Sequence, residues 1–229
     1  MKPAPLNLTG SFVWFAVPSI ALILLTRYAI PEMVHNGIHG LFAWFVSAFL
    51  LMGTMFLIAI RSAKGQPVKT ALKVKRLTGN DLRIAIIVLA ASGVLMGILY
   101  FSMNLLVGPS QSMMPPFLDG TVIDPSHRLV YLLSWLPMFF FNIAGEELLW
   151  RGVLLPRQEA FFGKKAWVLN GALWMMFHIS FGLRMMIILL PVFFALPWLV
   201  QKTGNTSTDI LFHGLINGPA FAAILLGLL

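Results

Sequence analysis

The sequence has no cysteine and little charge. The missing cysteine excludes disulfides, thiol nucleophiles and thiolate metal sites. Charged residues make up 10% of the 229 positions, against roughly 25% in soluble domains. Only eight residues are acidic, while sixteen are basic. Apolar residues fill the gap and reach 59%. A soluble chain of this length buries a sizeable core, but not this much apolar surface. The excess has to face lipid, which predicts an all-α, polytopic transmembrane helical bundle. Met1 to Gly10 holds one Lys and two Pro, with no small-residue cleavage site after a short apolar core. The first apolar run is therefore expected to be a retained helix and not a cleaved signal.

A net charge of +8 raises the question of nucleic acid, and the distribution answers it. Seven of the sixteen cations fall between Arg61 and Arg83, in one polar stretch between apolar runs. That is the pattern of a cytoplasmic loop under the positive-inside rule, lying close to anionic head groups. No basic face of a folded domain is present, so no nucleic-acid partner is expected. The bilayer itself is the expected partner.

A spanning helix needs about 20 apolar residues, and the chain offers about seven candidates. They run over 12–30, 38–60, 84–107, 129–155, 166–181, 185–200 and 209–229. Gly93 and Gly97 stand at the spacing that lets helices approach closely. The stretch 129–155 is long for one span, which predicts a kink at Pro137 or a tilt. Gly182 predicts a tight turn, and Thr208 or Asp209 a cap for the last helix. Arg157, Lys164, Lys165 and Lys202 mark the same side as the 61–83 loop, with Arg184 as a mild exception. The connection 108–127, with Asp119 and Asp124, reads as external. The N-terminus is then cytoplasmic, in a cell membrane expected to be a prokaryotic cytoplasmic one. The chain divides into N-terminal membrane helices with the basic loop (1–127) and a C-terminal core (128–229).

In a bilayer the ionisable residues are the informative ones, since a charge at a helix centre costs roughly 2.5–3.5 kcal/mol on insertion scales. Glu146 and Glu147 follow an apolar run that includes Phe139, Phe140 and Phe141. Glu147 and Arg151 are four apart, which puts them on one helix face in the favourable order. Glu146 lies about 100° away and is left unpaired by its own helix. The plain alternative is an interfacial helix end held by a salt bridge. His178 sits in the 166–181 run, where a lone histidine is often only a hydrogen-bonded core residue. His213 and Asn217 share a face at i,i+4, flanked by Gly214 and Gly218, and polar glue between helices is their plain reading. Together, Glu146, His178, His213 and Asn217 come from three spans at comparable depth towards the cytoplasmic half. A carboxylate and an imidazole can activate water, and burial would make the carboxylate a better base. A His and an Asn can bind the oxyanion of an attacked carbonyl. Met175, Met176, Met185 and Met186 offer an adaptable apolar lining, with core packing as the plainer use. Glu32, His35 and His39 are read as interfacial polar residues, with a metal site as the lesser alternative.

These motifs resemble the CAAX-protease and bacteriocin-processing (Abi) family, which includes the Ras-converting endoprotease. Its pattern is EExxxR, FxxxH and HxxxN. Glu146-Glu147-xxx-Arg151 matches the first and His213-xxx-Asn217 the third. Trp174 stands where Phe is usual ahead of His178. The resemblance implies an intramembrane protease of seven or eight helices. It implies that Glu146 and His178 activate water, that His213 and Asn217 form the oxyanion hole, and that Glu147 and Arg151 support them. The expected mechanism uses no cofactor; the alternative is zinc on Glu146, His178 and His213. The expected substrate is a peptide or membrane-protein precursor, or a prenylated C-terminus. The family also suggests non-proteolytic roles in bacteriocin immunity or as a membrane-protein scaffold. A transporter is a third reading, disfavoured by the lack of an inverted repeat.

Overall fold

The computed structural model describes residues 4–109 and 114–226, and among these the regular secondary structure is all helical, with no strand. The first helix, α1 (Leu8–His35), starts four residues before the expected position because Asn7 caps it, accepting from the Gly10 amide at 2.8 Å. It is followed by α2 (Gly40–Ser62) and α3 (Gly79–Val107). Thr78 and Asp81 close a reciprocal capping box on α3, which satisfies two otherwise orphaned amides. A helix over 128–162, α4, then turns at Gly163 into α5 (Ala166–Phe177). Next come α6 (Leu183–Ile188), α7 (Leu190–Thr203) and α8 (Thr206–Leu225). Among the described residues, four stretches are long and apolar enough to cross a membrane: Leu8–His35, Gly40–Ser62, Gly79–Val107 and Pro125–Phe177. The protein is an integral membrane protein.

Several local expectations change. The 185–200 helix divides at Leu189 because Pro191 opens a new helix, α7. The last helix begins at Thr206, with the side chain of Asn205 accepting from the Ser207 amide at 3.0 Å. Asp209 therefore lies in the first turn, fully buried, and is no cap. Pro137 sits inside an uninterrupted helix. The irregularity comes ten residues later, as a wide π-helical segment over Glu147–Leu154. There the Leu155 amide reaches back five residues to the Trp150 carbonyl. Pro156 follows and has no amide of its own to give.

The two ends of the bundle differ sharply. At one end the basic loop folds against the other cationic segments. Lys73 pairs with Glu159 at 3.3 Å, and the Thr206 amide donates to the Lys73 carbonyl at 3.0 Å. The Leu6 amide donates to the Arg157 carbonyl at 2.9 Å, so the N-terminal segment lies at this end too. At the far end, His39 accepts from the Leu41 amide at 3.3 Å. Its other nitrogen lies 2.9 Å from the Val122 carbonyl. Both ring nitrogens are thereby used, and Glu32 is taken by the Asn36 side chain at 2.9 Å. These residues are interfacial polar groups and do not gather as a metal site. Arg184 is also at the far end, where it donates to the Gly108 carbonyl at 2.9 Å and to Asn104.

Close packing falls on glycines other than the expected pair. A Cβ at Gly93 or Gly97 would meet nothing within 4 Å. A Cβ at Gly145 would instead strike the backbone carbonyl of Met52 on α2, and one at Gly171 would lie 2.6 Å from the Phe193 carbonyl on α7. Backbone cannot move aside as a side chain can. Gly145→Ala is therefore expected to lower stability by about 1–3 kcal/mol, despite the roughly 1 kcal/mol that Ala gains in helix propensity. Gly93→Ala is expected to cost nothing. Thermal unfolding of both variants in one detergent, followed by circular dichroism, checks the contrast.

Candidate active site

The π-helical segment carries Glu147 and Arg151 into the middle of the bundle, and every one of its residues except Val153 is buried. Arg151, Glu147 and Asp209 have no exposed surface. Arg151 lies 3.4 Å from Glu147 and 3.5 Å from Asp209, and its guanidinium stacks 3.9 Å above the Trp174 ring. This is a buried cation with two carboxylates and a π-face around it. Glu147 also meets His213, with Oε1 2.7 Å from Nδ1.

Glu146 turns the other way. Expected to be unpaired within its helix, it in fact accepts from Asn142, one turn earlier, at 2.6 Å. Its second oxygen accepts from the Trp174 indole N–H at 2.5 Å. His178 ends α5, where its Nδ1 lies 3.0 Å from the Trp174 carbonyl. A carbonyl only accepts, so Nδ1 carries the hydrogen and Nε2 keeps its lone pair. That Nε2 lies 4.0 Å from Glu146 Oε2. On α8, His213 and Asn217 are adjacent. Asn217 Nδ2 is 3.0 Å from His213 Nε2 and 3.3 Å from Asn142 Oδ1.

All six residues singled out in the sequence therefore meet. One hydrogen-bonded chain runs from Glu147 through His213, Asn217 and Asn142 to Glu146 and Trp174. Sequence reasoning missed three participants. Asn142 was legible in principle, being four residues before Glu146 on the same face. Trp174 was noted only as an aromatic in a Phe position, although its N–H is what binds Glu146. Asp209 entered only as an alternative to Thr208 for the helix cap.

Glu146, His178, His213 and Asn217, together with Asn142, line one cavity of about 230 Å³ whose remaining walls are apolar. Of the methionines expected there, only Met185 lines it, joined by Met52, Met96, Met114 and Met138. Among the described residues no three His, Asp or Glu side chains form a metal-binding group. Glu147 and Asn217 occupy the two ring nitrogens of His213.

The family model that matches is the Type II CAAX prenyl endopeptidase Rce1-like family, over residues 128–218. Over residues 128–218, less than half of the chain, the sequence is thus similar to the CAAX-protease family. The matched segment opens at the first residue of α4 and includes every residue of the site. Members of that family are described as prenyl endopeptidases, which act on peptide substrates. No curated protein and no solved structure matches the chain.

Removing one partner from a buried ion pair leaves an uncompensated charge, at a cost of about 3–5 kcal/mol. Arg151→Met keeps the volume and is expected to lose about that much stability, because Glu147 and Asp209 are then buried without a cation. Glu159→Gln, which removes the half-exposed pair with Lys73, is expected to lose less than about 1 kcal/mol. Thermal unfolding in detergent compares the two.

Proposed function

We propose that the chain is an intramembrane endopeptidase that activates water with Glu146 and His178. The carrying observation is the pair of facing acceptors, Glu146 Oε2 and His178 Nε2, 4.0 Å apart. Two acceptors cannot bond each other, and the gap exceeds a direct hydrogen bond. A water between them donates one hydrogen to each. Its oxygen lone pairs then face the cavity, where a peptide carbonyl lies. Attack forms the C–O bond, and the proton passes to the Glu146–His178 pair. The same pair returns it to the amine nitrogen as the C–N bond breaks, giving a carboxylic acid and an amine, and the acid's proton then passes to the amine.

The carbonyl oxygen becomes an oxyanion on the opposite wall, at His213 and Asn217. Without substrate, the Asn217 amide is spent on His213 and Asn142. An arriving oxygen takes over that donor. Glu147, at Nδ1 of His213, fixes the ring and balances positive charge on it. Trp174 and Asn142 hold Glu146 in the one orientation that faces His178. No metal takes part in this route.

The chain crosses the membrane about seven times, counting the return of α5 and the passages of α7 and α8. The basic end, with the N-terminal segment, is the cytoplasmic one. His213 lies in the half of the bundle nearer that end, two turns from Thr206, and His178 lies deeper, where α5 ends. The apolar walls favour a peptide with an apolar segment or a prenylated C-terminus.

Glu146→Ala is expected to abolish cleavage in liposomes while leaving the melting temperature within a few degrees of the parent. Full activity in that variant would sink the assignment of this site. Trp174→Phe keeps the ring and loses the N–H, so kcat is expected to fall about tenfold with KM little changed. Equal loss in both parameters would mean a packing role alone. Exhaustive chelation is expected to leave cleavage intact, and stoichiometric zinc whose removal abolishes it would overturn the metal-free route.

A further inference from the structure

The cavity and the charge cluster lie on opposite sides of Glu146. Towards the basic end, the way is filled. Glu147, Arg151 and Asp209 have no exposure, and Gln158, Asn170 and Thr206 behind them have none either. Leu72 of the basic loop is 1% exposed, and its carbonyl is bound by Thr206 at 2.7 Å. A Cβ on Gly152 would lie 3.2 Å from Leu72, so no channel runs between them.

Towards the far end, the cavity continues. Its walls there include Leu41 and Trp44 at the start of α2, Leu118 in the connection after α3, and Phe181. All belong to the end that carries His39 and Arg184. Along α8 the lining runs from His213 through Asn217 to Ala220 and Phe221. Seven residues of helix from His213 to Ala220 are about 10 Å, directed away from the basic loop. Ala220 is exposed, whereas His213 is buried. The opening is therefore at the Ala220 level and not at the basic face.

We propose that substrate reaches Glu146 through the half of the bundle opposite the basic loop, past Ala220. The substrate class is then a peptide whose apolar segment is presented on that side. The reacting residues sit within the bundle, and the door to them is at the end opposite the basic loop. This proposal rests on the peptidase reading above.

The absence of cysteine makes the test direct. A single cysteine is the only thiol in the molecule. Ala220→Cys probes the opening, and Lys69→Cys, exposed in the basic loop, marks the other side. A charged, membrane-impermeant maleimide is applied to vesicles of each orientation. Ala220→Cys is expected to react in the orientation in which Lys69→Cys does not. Its modification is expected to lower cleavage at least tenfold, while modified Lys69→Cys keeps the parent rate. Reaction of both cysteines from the same side overturns the proposal. So does an Ala220→Cys that reacts from neither side, or one whose modification leaves cleavage unchanged. If the unmodified protein cleaves no peptide, the peptidase reading fails instead. The side of labelling still reports where the cavity opens.

Discussion

Arg151 is the residue on which the rest of the site depends. It has no exposed surface and four neighbours that answer its charge or its shape: Glu147, Asp209, the face of Trp174 and, through Glu147, His213. A lone guanidinium in this position would be prohibitive. Surrounded in this way, it becomes the fixed point where α4, α5 and α8 are held together. The same contacts aim the reactive groups. Trp174 lies under Arg151 and points its N–H at Glu146, while Glu147 holds the ring of His213.

The π-helical segment over Glu147–Leu154 is the backbone counterpart of this arrangement. A wide turn costs regular hydrogen bonding, and such turns gather where function needs a shifted side chain. It begins at the peptide between Glu146 and Glu147. Glu146 thus ends a regular helix and faces the cavity, whereas Glu147 opens the wide segment and faces the charge cluster. Two adjacent carboxylates acquire different surroundings, one beside the reaction and the other beneath it. Gly145 lets α2 come close enough at this level for Met52 to form part of the wall.

The apolar fold was legible because its signal is additive. Long runs such as 38–60 and 84–107 announce helices whatever they pack against. Glu146, Glu147, Arg151, His178, His213 and Asn217 were legible for a related reason: in an apolar background a polar residue stands out. Asn142 and Trp174 were harder to see. Neither is ionisable, and each matters only because Glu146 lies within hydrogen-bonding reach. Gly93 and Gly97 show the converse, since their spacing was suggestive but nothing packs on them.

By itself, the sequence determined that this chain lives in a membrane, where its cations cluster, and which residues are too polar for their surroundings. These follow from transfer energies, which belong to each residue separately. Only the tertiary structure decided which polar groups meet. It gave Asp209 to Arg151 and the indole of Trp174 to Glu146, and it placed the cavity on the side of the site away from the basic loop. Those depend on angles and distances between helices far apart in the chain, and no single run of residues carries that information.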